Sequence, residues 1–493
     1  MSNYPGARGQ KSEVRSQRSE VRIIIFMKTK TKNIYKLTIS LSLMILLIFP
    51  FCPMEINAFA LSVEEETIAG EKFLAMIRKQ LDIVDDDFAN EYINDLGHYL
   101  IRPLETRPFP FRFYIIKDNT LNAFAGPGGH IFLFSGLIEV MDEIDELAAV
   151  VCHEIGHVSA RHLAQRIEQN KKIGLATMAG VLAAVLLGGK AAGAIMTGSM
   201  AASIQAQLTY SRNDERQADQ LGFKYMDESG FDPSGMITTL KNLSKGQWLG
   251  TGGIPPYLLT HPGGPERISN IETMLTGYIP KPGNRQTAKY RKLFPFLKTI
   301  LRAKYIDPHE AEKLFNMEIE NDPGSKLAHL GLGILWKKRS EYDLAADHFQ
   351  EALKGLPDSS YILRNLGETY QLKGQDTRAI RVLEKALRID NQDRASLYLL
   401  AVSYQNLEAY PEAIRIYERL TLMKPVKDEV FYNLGVSYGR QGRLALAHYN
   451  SGIYFKRLRN MREAGFHFHK ADELSKNDSA LRNRIRKAME GLE

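Results

Sequence analysis

His153-Glu154-Ile155-Gly156-His157 sets two imidazoles four residues apart, with a carboxylate between them. On an α-helix, residues i and i+4 share a face. Both rings can therefore reach one ion at zinc–nitrogen distances of about 2 Å. Glu154, offset by one residue, stands beside such an ion without ligating it, which is the position of a base that takes a proton from water. Zinc held by three protein groups leaves a fourth position open and brings the pKa of water towards ~7, so the chemistry indicated is amide hydrolysis. The third group must come from elsewhere in the chain. In Tyr210-Ser211-Arg212-Asn213-Asp214-Glu215-Arg216-Gln217-Ala218-Asp219, Glu215 and Asp219 again lie i, i+4. Glu215 can ligate while Asp219 accepts a hydrogen bond from the far nitrogen of a ligand histidine. The alternative for that pair is a solvated acidic face balanced by Arg212 and Arg216.

These side chains need elements to hold them. Apolar residues recur at helical spacing through 62–101 (Leu74, Ile77, Leu81; Tyr92, Ile93, Leu96, Leu100), and Phe111–Ile116 alternates as a strand does. Asn122–Gly129 is a glycine-proline turn, and Ile131–Phe134 is a second strand closed by Ser135-Gly136. A long helical stretch runs from Leu137 to about Asn170 and carries both motif histidines; Asn213–Ser229 is helical again. Ala/Gly/Leu-rich residues 173–208 predict either a helical hairpin that inserts into the membrane or touches it peripherally, or a buried or mobile helical pair beside the site. Gly246–Pro265 is a long glycine-proline loop holding His261, and Tyr278–Asn284 is a linker. Cys152 is predicted to pack behind the motif helix, and His130 to lie outside the site.

Beyond the linker the chain repeats every 34 residues. Gly333, Gly367, Ala401 and Gly435 form one column; Trp336, Tyr370, Tyr404 and Tyr438 follow three positions later; Ala311, Ala345, Ala379, Ala413 and Ala447 form another; Phe315, Phe349, Leu383 and Tyr417 a fourth. This is the period of the tetratricopeptide repeat, a helix–turn–helix unit. Gly452, Phe455, Ala464, Phe468 and Ala471 continue the pattern shifted by half a period, so a helix near 445–458 is expected to serve two units. About five repeats are predicted, with a concave surface suited to protein partners.

The N-terminus reads as an address. Lys28, Lys30, Lys32 and Lys36 precede the apolar run Leu37–Phe51, and Ala58-Phe59-Ala60 offers a cleavage site. The start is expected at Met27, cleavage after Ala60, and the destination is the periplasm. The net charge of +7 resides almost wholly in residues 1–60, which hold nine Lys/Arg against three acids. The nearly neutral remainder argues against a nucleic-acid partner. With Cys52 removed, the single Cys152 excludes an internal disulfide and a four-cysteine metal site.

Residues 62–275 resemble the M48 family of zinc metallopeptidases. The matching stretches are Asn122–Leu137, Glu146–Val158 with the His-Glu-x-x-His motif, and Ser211–Asp219, three motifs in order. The resemblance implies an α+β zincin-like metallopeptidase domain over 61–279, mostly helical with a small sheet, joined by a linker at 280–288 to an α-solenoid of tetratricopeptide repeats over 289–493. It implies one Zn²⁺ held by His153, His157 and Glu215, with Glu154 as base and Asp219 either orienting a ligand or donating a proton. It further implies that the strand Gly128–Phe134, through Gly128, Gly129, Ile131 and Leu133, is an edge to which an extended substrate adds as a further strand. Related proteases carry a histidine where His261 stands, either filling the open metal position or stabilising the oxyanion. The substrates implied are unfolded or stalled envelope proteins, in quality control of outer-membrane β-barrel assembly, with the repeats engaging the assembly machinery. The competing reading is a chaperone or adaptor whose protease is largely latent.

Overall fold

The computed structural model describes residues 62–169, 210–245 and 255–491. The expected signal sequence and the 173–208 segment lie outside the described residues. Among those described, no helix is long and apolar enough to cross a membrane.

Two amphipathic helices open the chain. The first, α1 (Val63–Gln80), starts at a Ser62/Glu65 capping box, and the second, α2 (Asp87–Leu100), at Asp86, whose side chain accepts from the Ala89 amide. Their buried faces include Leu74, Ile77, Tyr92, Ile93, Leu96 and Leu100, residues at the helical spacing noted above. Three strands follow: β1 (Arg112–Ile116), β2 (Ala123–Ala125) and β3 (His130–Phe134). The sheet order is β1-β3-β2, with β3 parallel to β1 and antiparallel to β2.

That order corrects the expected substrate edge. The β3 strand is hydrogen-bonded on both sides, and Ile131 and Leu133 are fully buried. Gly128 and Gly129 lie in a single 3-10 turn before it, at φ +71° and +83°, in the left-handed region that glycine tolerates. The turn is packed under α1 so closely that a Cβ on Gly70 would fall 2.5 Å from the Pro127 carbonyl oxygen. Among the described residues the sheet's outer strands are β1 and β2, and β2 touches the motif helix.

The expected single helix after Leu137 is three: α3 (Ser135–Glu139), α4 (Ile144–Ser159) and α5 (His162–Gln169). Arg161, at φ +53°, makes the second break. The helix α6 (Arg212–Ser229) begins at a Ser211/Asp214 capping box and ends at left-handed Gly230. After α7 (Gly235–Lys245), the second half of the expected long loop contains a short helix, α8 (Pro256–Thr260), and the start of α9 (Gly264–Leu275). Proline at the first turn of each supplies the helical φ.

Residues after Tyr278 remain irregular until α10 (Arg285–Tyr305), capped by Asn284. This helix does not begin a detached domain, as a linker at 280–288 would suggest. Tyr290, Phe294, Leu297 and Leu301 lie in the same core as the sheet and α4, whereas Phe296, Ile300 and Ala303 lie in the core of the first repeats.

The solenoid continues as α11 (Pro308–Asn321), α12 (Lys326–Lys338), α13 (Tyr342–Gly355), α14 (Ser360–Leu372), α15 (Asp376–Ile389), α16 (Arg394–Asn406), α17 (Tyr410–Thr421), α18 (Asp428–Arg440), α19 (Leu444–Arg457), α20 (Met461–Leu474) and α21 (Ser479–Met489). The small-residue column admits its partner: a Cβ on Gly333 would meet the Phe349 ring at 2.7 Å. Gly435 on α18 faces α19 at Ala447 and Ser451, while Gly452 on α19 faces Phe468 of α20. One helix thus serves two units, as the half-period shift predicts.

Candidate metal centre

The fold brings His153 and His157 of α4, Glu215 of α6 and His261, just past α8, into one buried group whose ligand atoms all lie within 4.8 Å of one another. The Nε2 atoms of His153 and His157 are 3.0 Å apart. Glu215 carboxylate oxygens lie 3.4 Å from each of them, and His261 Nδ1 lies 3.1 Å from Glu215 Oε1 and 3.4 Å from His153 Nε2.

Two glycines make the meeting of α4 and α6 possible. A Cβ on Gly156 would stand 2.9 Å from the Ala218 carbonyl oxygen, and one on Gly222 3.3 Å from the His153 amide nitrogen. Close axes put Glu215 beside the imidazoles and Asp219, one turn on, behind them.

The far side of each imidazole is held. His153 Nδ1 lies 2.9 Å from Asp219 Oδ1. His157 Nδ1 meets His162 Nδ1 at 2.9 Å, and His162 Nε2 faces Gln217 Oε1 at 3.0 Å. Gln217 Oε1 accepts, so His162 carries its proton on Nε2, and His157 donates from Nδ1. His157 therefore turns a bare Nε2 towards the cluster, the tautomer a ligand needs, and His153, held at Nδ1 by Asp219, turns its Nε2 the same way. Burial holds His157 well below its usual pKa and so neutral. Burial and Arg267 act to lower His153, but hydrogen bonds to Asp219 and Glu215 outweigh them and bring it up to about 9.

The motif-based reading missed Arg267 of α9. Its guanidinium is buried, grips both Asp219 oxygens at 2.7 and 2.8 Å, and lies 2.9 Å from Glu215 Oε2. Against the opposing effect of burial, His261 and Arg267 hold Glu215, and Arg267 and His153 hold Asp219, below the ordinary carboxylate range. An arginine beginning a helix six residues after His261 gives no local sign of this; only the acids it meets reveal it. Tyr210 and Tyr257 were also missed. Tyr210 stacks on His157 with ring centroids 3.8 Å apart, and Tyr257 on His261 at 4.5 Å.

Glu154 is fully buried, yet neither of its carboxylate oxygens accepts a hydrogen bond from any of the described residues. His261 Nε2 lies 3.5 Å from Glu154 Oε1. Burial raises the Glu154 pKa. An unsatisfied buried carboxylate beside three imidazoles and a second carboxylate is the surrounding expected for a cation and its solvent, and the nitrogen and oxygen donors suit zinc. His130 lies elsewhere, 3.2 Å from the Tyr114 hydroxyl, and Cys152 is buried with its thiol pKa pushed up.

Comparison with known proteins agrees with this geometry. The model of peptidase family M48 matches residues 88–275, and the tetratricopeptide repeat model matches 307–360 and 398–450. A model of anaphase-promoting complex subunit 3 matches 341–420, within the repeats. The chain is 28% identical over 374 residues to the beta-barrel assembly-enhancing protease of Yersinia pestis, covering 74% of this chain and 75% of the relative. It is 34% identical over 205 residues to that of Escherichia coli strain K12, covering 41% and 42%. A Vibrio cholerae serotype O1 protein with the same words in its name is 35% identical over 223 residues, covering 45% and 46%. The match thus spans about half the length of the last two relatives. Residues 88–275 thus match peptidase family M48, and segments that match the tetratricopeptide repeat follow them.

Proposed function

We propose that this chain is an exported zinc endopeptidase, acting in the periplasm on unfolded or misassembled envelope proteins during quality control of outer-membrane β-barrel assembly, with the repeats recruiting substrates and the assembly machinery. The names of the relatives support the setting. The observation that carries the chemistry is Glu154, buried without hydrogen-bond partners among the described residues at the edge of a three-imidazole, one-carboxylate cluster.

His153, His157 and Glu215 would hold the zinc, which when bound supplies Lewis acidity to the scissile carbonyl and to water. Glu154 takes the proton of the attacking water and returns it to the leaving amine; its raised pKa suits the return step. Asp219 is a positioning residue: with Arg267 clamped on it, it fixes the ring of His153 through Nδ1. An extended substrate backbone pairs with β2, not β3, because β2 is an outer strand that touches α4.

Of the two roles open to His261, the geometry favours latency. Its Nδ1 stands among the ligand atoms at 3.1 Å from Glu215, and Tyr210 and Tyr257 stack on its ring. A fourth protein ligand closes the position that hydrolysis needs open. This also gives weight to the second reading, an adaptor with a mostly closed protease.

Zinc content and casein hydrolysis of the mature chain test these points together. Wild type should carry one more zinc per chain than a variant in which His153, His157 and Glu215 are replaced. Glu154→Gln should keep the metal and lose activity by about 10²–10⁴-fold, and His261→Ala should hydrolyse casein faster. Absence of stoichiometric zinc sinks the proposal. Full rescue of a deletion strain by Glu154→Gln transfers the function to the repeats, and slower hydrolysis by His261→Ala favours a direct part in catalysis. Release of the protein by osmotic shock checks its export.

A further inference from the structure

Two other histidine pairs stand in contact, both in the solenoid. His329 on α12 faces His348 on α13 with Nδ1 atoms 2.9 Å apart, and His448 on α19 faces His467 on α20 at 3.0 Å. Each pair is separated by 19 residues, and the rings lie 5.1 Å apart, tilted by 38° and 39°. The second pair comes three and a half repeat periods after the first, so the half-period shift of the solenoid brings the same helix-pair station round again.

A hydrogen bond between neutral imidazoles accounts for one such contact, but two features reach further. His329 Nε2 lies 3.1 Å from the Pro323 carbonyl oxygen, which can only accept. The proton of His329 is therefore on Nε2, and its Nδ1 offers a lone pair, as in metal-bound histidines whose second nitrogen donates to a carbonyl. The Nδ1–Nδ1 separations also match the 3.0 Å between His153 and His157 Nε2. Two nitrogens each about 2.0–2.1 Å from one ion, at roughly a right angle, stand about 2.9 Å apart.

We propose that each pair is a site for a divalent cation of the zinc–nickel–copper group, held by two imidazoles and completed by solvent, that fastens together the two helices of one unit. All four side chains are half-buried, so solvent reaches them. Burial, with the His329 ring beside it, holds His348 below its usual pKa, and burial does the same for His448 and His467, which keeps them in the neutral, ligating form near pH 7. Imidazole ligands select this group over magnesium and calcium.

The full mature chain is titrated with Zn²⁺ by calorimetry and compared with His348→Ala, His467→Ala and the double variant. Wild type should bind two more equivalents than the double variant, and each single variant should lose one. His329→Gln, made from the other helix, should lose the same equivalent as His348→Ala, which guards against misfolding of one variant. Zn²⁺ should also raise the melting temperature of wild type more than that of the double variant. Equal stoichiometry in wild type and double variant overturns the proposal, as does Mg²⁺ binding as well as Zn²⁺. Because the readout is a difference between chains with the same catalytic cluster, it is independent of whether that cluster takes zinc.

Discussion

Arg267 shows how one side chain can govern a centre it does not join. It neutralises Asp219 and Glu215 together, and Asp219 in turn orients His153. Removing the guanidinium leaves two buried carboxylates short of a partner, so Glu215 gains a proton more readily and His153 loses its fixed orientation. Arg267→Met, which keeps most of the volume, should weaken zinc affinity by about 10–100-fold, the usual effect of removing a group that supports a metal ligand. Competition with a chromogenic chelator measures it. Unchanged affinity would mean that the arginine only compensates charge.

The pairing of α4 with α6 decides whether the centre exists. Gly156 sits between the two motif histidines, and a side chain there collides with the backbone of Ala218, which cannot rotate away. Gly156→Val should push α6 outward, moving Glu215 away from the imidazoles. Overpacking of this kind costs about 1–3 kcal/mol, visible as a lower melting temperature, and zinc occupancy should fall with it. Gly465 on α20 is the contrast, since a Cβ there meets nothing within 4 Å. Gly465→Ala should leave both readouts unchanged or raise stability slightly.

At the scale of the molecule, α10 is buried in the peptidase core on one face and in the repeat core on the other. Asp86 adds a polar tie: it caps α2, pairs with Lys304 of α10 and accepts a hydrogen bond from Tyr361 of α14 at 2.9 Å. Burial opposes its charge, but Lys304, the Ala89 amide and Tyr361 outweigh this and hold its pKa below the usual value. A depressed folded pKa means stability that is fully present above the unfolded value near 3.9 and is lost as pH falls through the folded one. Asp86→Asn should therefore cost about 1.5–3 kcal/mol at pH 7, the range for hydrogen bonds to charged groups. The gap to wild type should close as the pH is lowered below 4. Denaturant melts across that range would show it, and a gap independent of pH would refute the ionic role.

What could be read along the chain was whatever depends on local spacing. His153, Glu154 and His157 share a helix face because of the 3.6-residue turn, and Gly333, Gly367 and Phe349 declare the solenoid because each unit repeats the same local contact. The order of the strands was not local. His130–Phe134 looks like any short apolar strand, and only the arrival of β1 and β2 on its two sides makes it central instead of an edge. Arg267 and the double burial of α10 were hidden for the same reason. Their partners, Asp219 and the two cores, are distant in sequence, and a buried charge or a helix apolar on two faces acquires meaning only once tertiary packing has chosen its neighbours.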